Sequence, residues 1–111
     1  MKYPMSKVFK KYNYCRACRT IAITELHHIF GRNKEIVDEP QNLIELCVKC
    51  HKSHMNKVIF FAIIEYQVKK FGKTWLDWAS ETAKKMGKVK SLFLIGEWKD
   101  ANNITDTTQQ E

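Results

Sequence analysis

Metal-binding residue types are concentrated in one part of this chain. All four histidines and two of the four cysteines lie within residues 25–54, and the other two cysteines lie just upstream. A small hydrophobic core does not need imidazoles and thiols in this number, whereas both are preferred ligands of zinc and related ions. Metal chemistry is therefore the first interpretation. The residues concerned are Cys15, Cys18, His27, His28, Cys47, Cys50, His51 and His54.

The cysteines form two Cys-x-x-Cys pairs, Cys15/Cys18 and Cys47/Cys50. Two thiolates at this spacing can hold zinc from one tight turn, and two such pairs are typical of a four-cysteine structural site. Disulfide bonds are the alternative. The N-terminus has no apolar signal core, and no apolar run is long enough to span a bilayer. We therefore expect a cytoplasmic, reducing location and no membrane partner, which favours zinc over disulfides.

The histidines suggest a second ion, because the cysteines alone suffice for the zinc. Neighbouring side chains at a strand end point to opposite faces, so His27 and His28 should do different jobs. His51 and His54 are three residues apart on a predicted helix and share a face. One hairpin histidine and one or two from the helix could hold an ion, while the other hairpin histidine acts as a general base.

Such a division of work is sufficient to hydrolyse a phosphodiester. The ion stabilises the charge that develops on the phosphate, and the histidine takes a proton from water. Taken alone, each histidine could instead be structural or exposed, and the case for His54 is the weakest.

The net charge of +7 favours a polyanionic partner, most simply nucleic acid, over a merely solvated basic surface. Basic and aromatic residues interleave over residues 1–14. That stretch could be an arm that follows a phosphate backbone, or a lead-in that packs its aromatic rings on the core. Arg32 and Lys34 lie in a polar loop and are placed to contact phosphates.

Two strands and several helices must position these residues. Residues 20–26 and 42–46 are predicted to form a hairpin joined by the polar loop. A helical pattern then runs from about residue 49 to residue 70 and is almost entirely apolar in its middle. This helix must be buried under the rest of the chain or in a dimer interface.

A second helix is predicted after Gly72, with Thr74 as its N-cap and Gly87 at its end. Trp75 and Trp78 should cover the long helix. Residues 88–98 fit either a third helix or an edge strand.

The order of the motif residues resembles the HNH endonuclease family, in the form that carries two Cys-x-x-Cys pairs. The resemblance covers roughly residues 15–57, somewhat over a third of the chain. It rests on a histidine pair after Glu25 and Leu26, then Asn42, then a histidine directly after the last cysteine. Small phage and prophage HNH nucleases are similar in size, and a phage-encoded member would act in the cytoplasm of the host cell.

The resemblance implies an α+β fold with a small ββα-metal (His-Me finger) core, in which a hairpin and a helix enclose one catalytic ion. His28 resembles the general base and His27 a metal ligand. Asn42 resembles the asparagine that fixes the hairpin loop and orients the base. His51 resembles the metal ligand on the helix, and His54 lies near a position where some members carry a further histidine.

The four cysteines match the structural zinc ligands of this family. Its members hydrolyse DNA to 5′-phosphate and 3′-hydroxyl ends with Mg²⁺, Mn²⁺, Ni²⁺ or Zn²⁺, and imidazole ligands do not choose among these ions. We predict a metal-dependent DNA endonuclease. The chief alternative is a non-catalytic zinc-stapled nucleic-acid-binding protein, and a structural or assembly protein is a third.

The predicted organisation has three parts. Residues 1–71 form the HNH nuclease domain, with the zinc knuckle and the long helix. Residues 72–100 form a helical C-terminal extension that packs on it, and residues 101–111 a disordered tail. The apolar helix also suggests a homodimer, in which it would be buried at the interface. A homodimer would supply the two active sites that paired nicks on two strands need.

Overall fold

A three-stranded antiparallel sheet, in the order β1-β2-β3, carries the metal-binding residues. The computed structural model describes residues 11–104. Its strands are β1 (Lys11–Tyr14), β2 (Ile21–His28) and β3 (Leu43–Cys47). The interpretations of residues 1–10 as part of a basic arm and of residues 105–111 as a disordered tail lie outside the described residues.

Four helices follow the sheet, so the described part of the chain is α+β, as predicted. They are α1 (Val48–Lys52), α2 (Lys57–Phe71), α3 (Thr74–Lys85) and α4 (Val89–Ala101). Residues 88–98, which fitted a helix or an edge strand, are therefore mostly helical. No helix among residues 11–104 is long and apolar enough to cross a bilayer.

The predicted hairpin is present, and its first strand is longer than the sequence indicated. β2 includes both neighbouring histidines, with His27 opposite Ile44 and His28 opposite Leu43 on β3. β1, which was not predicted, pairs with the other edge of β2. The residues of β1 alternate between polar and aromatic, but a run of four is too short for a strand to be inferred from it.

The prediction of one continuous helix over residues 49–70 was wrong. α1 ends at Lys52, and a turn separates it from α2. The side chain of Asn56 accepts hydrogen bonds from the backbone N–H groups of Val58 (2.9 Å) and Ile59 (3.4 Å). An asparagine N-cap of this kind begins a new helix, since it satisfies donors that have no partner in the first turn.

α2 is covered within the chain itself, which was one of the two predicted ways to bury it. Phe60, Ile63 and Ile64 are fully buried, and α2 packs against α3 and α4. Each such side chain contributes about 1.5–3 kcal/mol of hydrophobic stabilisation. Trp75 is also buried in this core, as predicted.

The N-cap prediction for α3 was also wrong. Thr74 is the first residue of the helix, and Lys73 occupies the N-cap position. The Thr74 hydroxyl donates instead to the backbone carbonyl of Phe71, 3.5 Å away. The hydroxyl therefore bonds back to the end of α2, and not to the first turn of α3.

Candidate metal centres and catalytic cleft

The four cysteines come together at the end of the sheet where α1 begins. Cys15 and Cys18 lie in the turn between β1 and β2, Cys47 ends β3, and Cys50 lies on α1. All four sulfurs lie within 4.8 Å of one another, and those of Cys18 and Cys47 are 3.9 Å apart. A zinc–sulfur bond of about 2.3 Å places tetrahedral sulfurs about 3.8 Å apart. All four thiols are free of disulfides, so this cysteine cluster fits a zinc ion.

The pKa values of Cys18 and Cys50 are shifted in opposite directions. The hydrogen bond with the Thr20 hydroxyl lowers the pKa of exposed Cys18 to about 6. Burial raises the pKa of Cys50. Cys18 is therefore the first of the two to form a thiolate, and a cation in the cluster would favour ionisation of the others.

The rings of His51 and His54 both lie against the ring of His27. The His27 ring centroid is 4.8 Å from that of His51 and 4.6 Å from that of His54. Three imidazoles around one ion, with metal–nitrogen bonds of about 2.1 Å, would have neighbouring centroids about 5 Å apart. His54 lies in the turn after α1, and not on a continuous helix as predicted. Even so, the structure brings His27, His51 and His54 together.

His27 is suited to bind a metal. Burial, followed by charge on the neighbouring histidines, lowers the pKa of His27 to about 3. The ring is therefore neutral at neutral pH. Its Nε2 is buried and has no hydrogen-bond partner among the described residues. A buried polar nitrogen without a partner is costly, and an ion bound there would satisfy it.

His51 and His54 are held through their Nδ1 atoms. The Nδ1 of His51 lies 2.7 Å from Oε1 of Glu25, and the Nδ1 of His54 lies 3.0 Å from the carbonyl oxygen of His51. With a proton on each Nδ1, both rings donate and keep Nε2 available for an ion.

Sequence reasoning gave Glu25 no role. A carboxylate that holds a histidine ligand is a recurrent arrangement in metal sites. Strand alternation could have found it, because Glu25 shares a face of β2 with His27.

The histidine nitrogens are gathered less tightly than the sulfurs. Among residues 11–104, the cysteines are the one group of three or more potential ligands from His, Cys, Asp or Glu that converges within 4.8 Å. Binding of one ion by the three imidazoles would therefore bring their nitrogens closer together than they lie here.

All four histidines line a single cleft of about 270 Å³, which we call the histidine cleft. Arg32 from the hairpin loop and Lys88 from the turn before α4 also line it. Lys34 is exposed and is not among the lining residues. The structure thus brings one of the two predicted phosphate-contacting residues to the histidine cleft and not the other.

Lys88 was missed because no local pattern connects the turn before α4 with the hairpin. Its Nζ lies 3.9 Å from the position that a Cβ on Gly31 would occupy. Gly31 has a φ of 95°, a left-handed conformation that favours glycine. Lys88 therefore lies next to the hairpin loop, although it is distant from the loop in the sequence.

His28 lines the histidine cleft at the end of β2. Its pKa is lowered, first by burial and then by the positive charge of Arg32, while Asp38 acts in the opposite direction. The imidazole is therefore neutral at neutral pH and can accept a proton.

Asn42 fixes the loop that follows His28. Its side chain is fully buried. Oδ1 accepts from the backbone N–H of Phe30 (2.8 Å), and Nδ2 donates to the carbonyls of Gly31 (3.1 Å) and Ile36 (3.3 Å). The backbone carbonyl of Asn42 accepts from the N–H of Ile29 at 2.8 Å. One residue thus ties together several parts of the loop.

The helices hold the residue before Asn42. The carbonyl of Gln41 accepts from Nε2 of Gln67 on α2 (3.1 Å) and from Nε1 of Trp75 on α3 (2.9 Å). These hydrogen bonds connect the C-terminal helices directly with the hairpin loop.

Replacement of Asn42 with alanine should lower the free energy of unfolding by roughly 2–4 kcal/mol, because it leaves several buried backbone groups without partners. Urea denaturation followed by circular dichroism would measure this. Asn33→Ala is the matched control, since Asn33 is an exposed asparagine of the same loop with one side-chain hydrogen bond, to the N–H of Glu35. Equal losses in the two variants would contradict the role given to Asn42.

No protein-family model matches the chain, and no curated protein or solved structure was found to be similar to it. A fold does not by itself determine a function, since one fold can carry many activities. The chemistry of the histidine cleft and of the cysteine cluster is therefore the basis for assigning a function to this chain.

Proposed function

We propose that this protein is a metal-dependent DNA endonuclease of the HNH type. It would hydrolyse a phosphodiester bond to leave 5′-phosphate and 3′-hydroxyl ends. The observation that carries the proposal is one cleft lined by all four histidines, at the end of a strand–strand–helix unit. The strand–strand–helix order of β2, β3 and α1 is the order expected of a ββα-metal core, which supports the proposal. A structural cysteine cluster alone would have no use for these imidazoles.

His28 is the proposed general base. Its neutral ring lines the histidine cleft, where it takes a proton from the attacking water. Asn42 supports this role by fixing the loop that begins directly after His28. The base is therefore held at the junction between a paired strand and a hydrogen-bonded loop, which limits its movement.

His27, His51 and His54 would hold the catalytic ion. When bound, a divalent ion supplies positive charge to the phosphate and the leaving oxygen. Glu25 fixes the tautomer and orientation of His51. Imidazole ligands are compatible with Mn²⁺, Ni²⁺ and Zn²⁺, whereas Mg²⁺ would keep several waters of its own.

Basic side chains would hold the substrate. Arg32 and Lys88 line the same cleft as His28 and attract the phosphate backbone. The net charge of +7 acts over a longer range and favours approach of a polyanion.

The cysteine cluster would hold a structural zinc ion. It joins the β1–β2 turn to the junction of β3 and α1. Cys50 directly precedes His51 on α1, so zinc bound at Cys50 would also fix the start of the segment that carries His51 and His54.

The direct test is nicking of supercoiled plasmid by the purified full chain in Mg²⁺, Mn²⁺ or Ni²⁺. We expect nicked circles with at least one of these ions and none in excess EDTA. The nicks should be sealed by DNA ligase, which requires 5′-phosphate and 3′-hydroxyl ends. Circular dichroism in EDTA would show whether the fold persists when activity is lost.

The proposal would be contradicted if the protein nicked plasmid with none of these ions and still gave a salt-sensitive gel shift. That combination would favour the non-catalytic nucleic-acid-binding protein, because phosphate contacts alone produce salt-dependent binding.

A further inference from the structure

A groove runs between the sheet and α2, beginning at the turn that carries Cys15 and Cys18. Its first part is lined by Arg16, Arg19 and Lys69, together with two tyrosines. The second part shares Arg16 and Tyr66 with the first and adds Lys70. We call these two parts the α2 groove.

The α2 groove borders the histidine cleft at one residue. Leu26 lines both the second part of the groove and the histidine cleft. His28 lies two residues further along β2, on the same face of the strand as Leu26. A ligand lying in the groove would therefore be led from the arginines towards His28.

Cations outnumber carboxylates in the α2 groove. Two arginines and two lysines line it, against two glutamates. One of the glutamates, Glu45, is hydrogen-bonded to Asn13. The guanidinium carbon of Arg16 lies 5.4 Å from the ring centroid of Tyr66, so a cation and an aromatic surface stand side by side. Grooves that bind nucleic-acid strands combine positive charge and aromatic rings in this way.

Arg19 occupies a backbone conformation that is unfavourable for an arginine. Its φ is 65°, in the left-handed region that glycine and asparagine adopt more readily. Its N–H donates to the carbonyl of Cys15 at 2.9 Å, and the N–H of Arg16 donates to the carbonyl of Glu45 at 3.0 Å. The turn that carries Cys15 and Cys18, which we call the cysteine turn, thus holds the backbone of both arginines through hydrogen bonds. A strained position that carries a long basic side chain into a groove points to a use for that side chain.

We propose that the α2 groove binds the phosphate backbone of the DNA strand that continues from the histidine cleft. Guanidinium groups can bind phosphate oxygens with two parallel hydrogen bonds, and the ring of Tyr66 lies against the guanidinium of Arg16. This inference rests on the proposed function for the identity of the ligand. It assigns the arginines of the cysteine turn to substrate binding, in addition to the basic residues of the histidine cleft.

The test is fluorescence anisotropy with a labelled DNA duplex, carried out in a His28→Ala background so that the probe is not cut. Removal of Arg16, Arg19 or Lys69 as alanine variants should weaken Kd about threefold to tenfold each. Each should also lower the slope of log Kd against log salt concentration by about one phosphate contact. Lys84→Ala is the charge-matched control, because Lys84 is exposed on α3 and does not line the groove.

Arg19→Gly separates binding from folding. Glycine accepts the left-handed backbone, so this variant should keep the melting temperature of the parent while losing as much affinity as Arg19→Ala. Equal effects of Lys84→Ala and the groove variants would overturn the inference, since binding would then depend on diffuse charge.

The inference about the α2 groove and the proposed endonuclease activity can be contradicted separately. If the groove variants bind like the parent while the wild type nicks plasmid, the groove inference is wrong and the endonuclease stands. If they lose binding while the wild type never nicks, the groove is supported and the endonuclease is not.

Discussion

Replacement of His28 with alanine should nearly abolish plasmid nicking while DNA affinity stays within about twofold of the wild type. Removal of a general base typically costs about 10²- to 10⁴-fold in rate. His28 lies at a strand end, and its loss removes one side chain and no backbone hydrogen bond of the hairpin. First-order nicking rates at saturating metal, together with anisotropy titrations, would measure both quantities.

His51→Ala is the informative comparison for His28→Ala. Because His51 is a proposed metal ligand, its loss should weaken metal affinity, and higher metal concentrations should restore part of the activity. The same metal titration should not restore His28→Ala, since that variant lacks the proton acceptor. A His28→Ala protein that nicks at the wild-type rate would show that His28 is not the base.

Replacement of Cys47 with serine should release the structural zinc and abolish the cooperative melting transition. Structural zinc in small zinc-binding peptides binds with about 10–16 kcal/mol, whereas whole domains are stable by about 5–15 kcal/mol. Loss of one of four thiolate ligands therefore removes a large fraction of the total stability. Zinc content by atomic absorption and thermal melting by circular dichroism would measure the two effects.

His51→Ala also serves as the control for the zinc measurement, because it alters the histidine cleft and leaves all four cysteines in place. It should retain the cysteine-bound zinc and most of the wild-type melting temperature. A Cys47→Ser protein that keeps both its zinc and its melting temperature would contradict the assignment of the cysteine cluster.

Much of the site could be predicted because its strongest signals are local in the chain. The spacing within each Cys-x-x-Cys pair is sufficient for two thiols to face one ion. The neighbouring positions of His27 and His28 at a strand end indicated different roles, and their rings do have different surroundings. Asn42 precedes β3 and could be identified from its place in the motif, although only the structure shows its hydrogen bonds.

The features that the sequence did not predict are of two kinds. Some depend on contacts between distant segments, and one depends on a competition between local structures. Lys88 reaches the histidine cleft because the turn before α4 lies beside the hairpin loop, and no spacing in the chain encodes that approach. The pairing of β1 with β2 likewise required a tertiary partner. The helix break before α2 is different, because it depends on a local competition in which Asn56 begins α2 as its N-cap.

The hydrogen bonds from Gln67 and Trp75 to the carbonyl of Gln41 have a consequence for evolution and engineering of this chain. The motif residues end well before these two donors, yet the loop that the donors hold belongs to the hairpin that carries His27 and His28. A transplanted segment that stopped at the end of the motif would leave that carbonyl without its partners. The segment that carries the motif residues could therefore not be transferred to another protein by itself. The donors on α2 and α3 would have to be transferred with it.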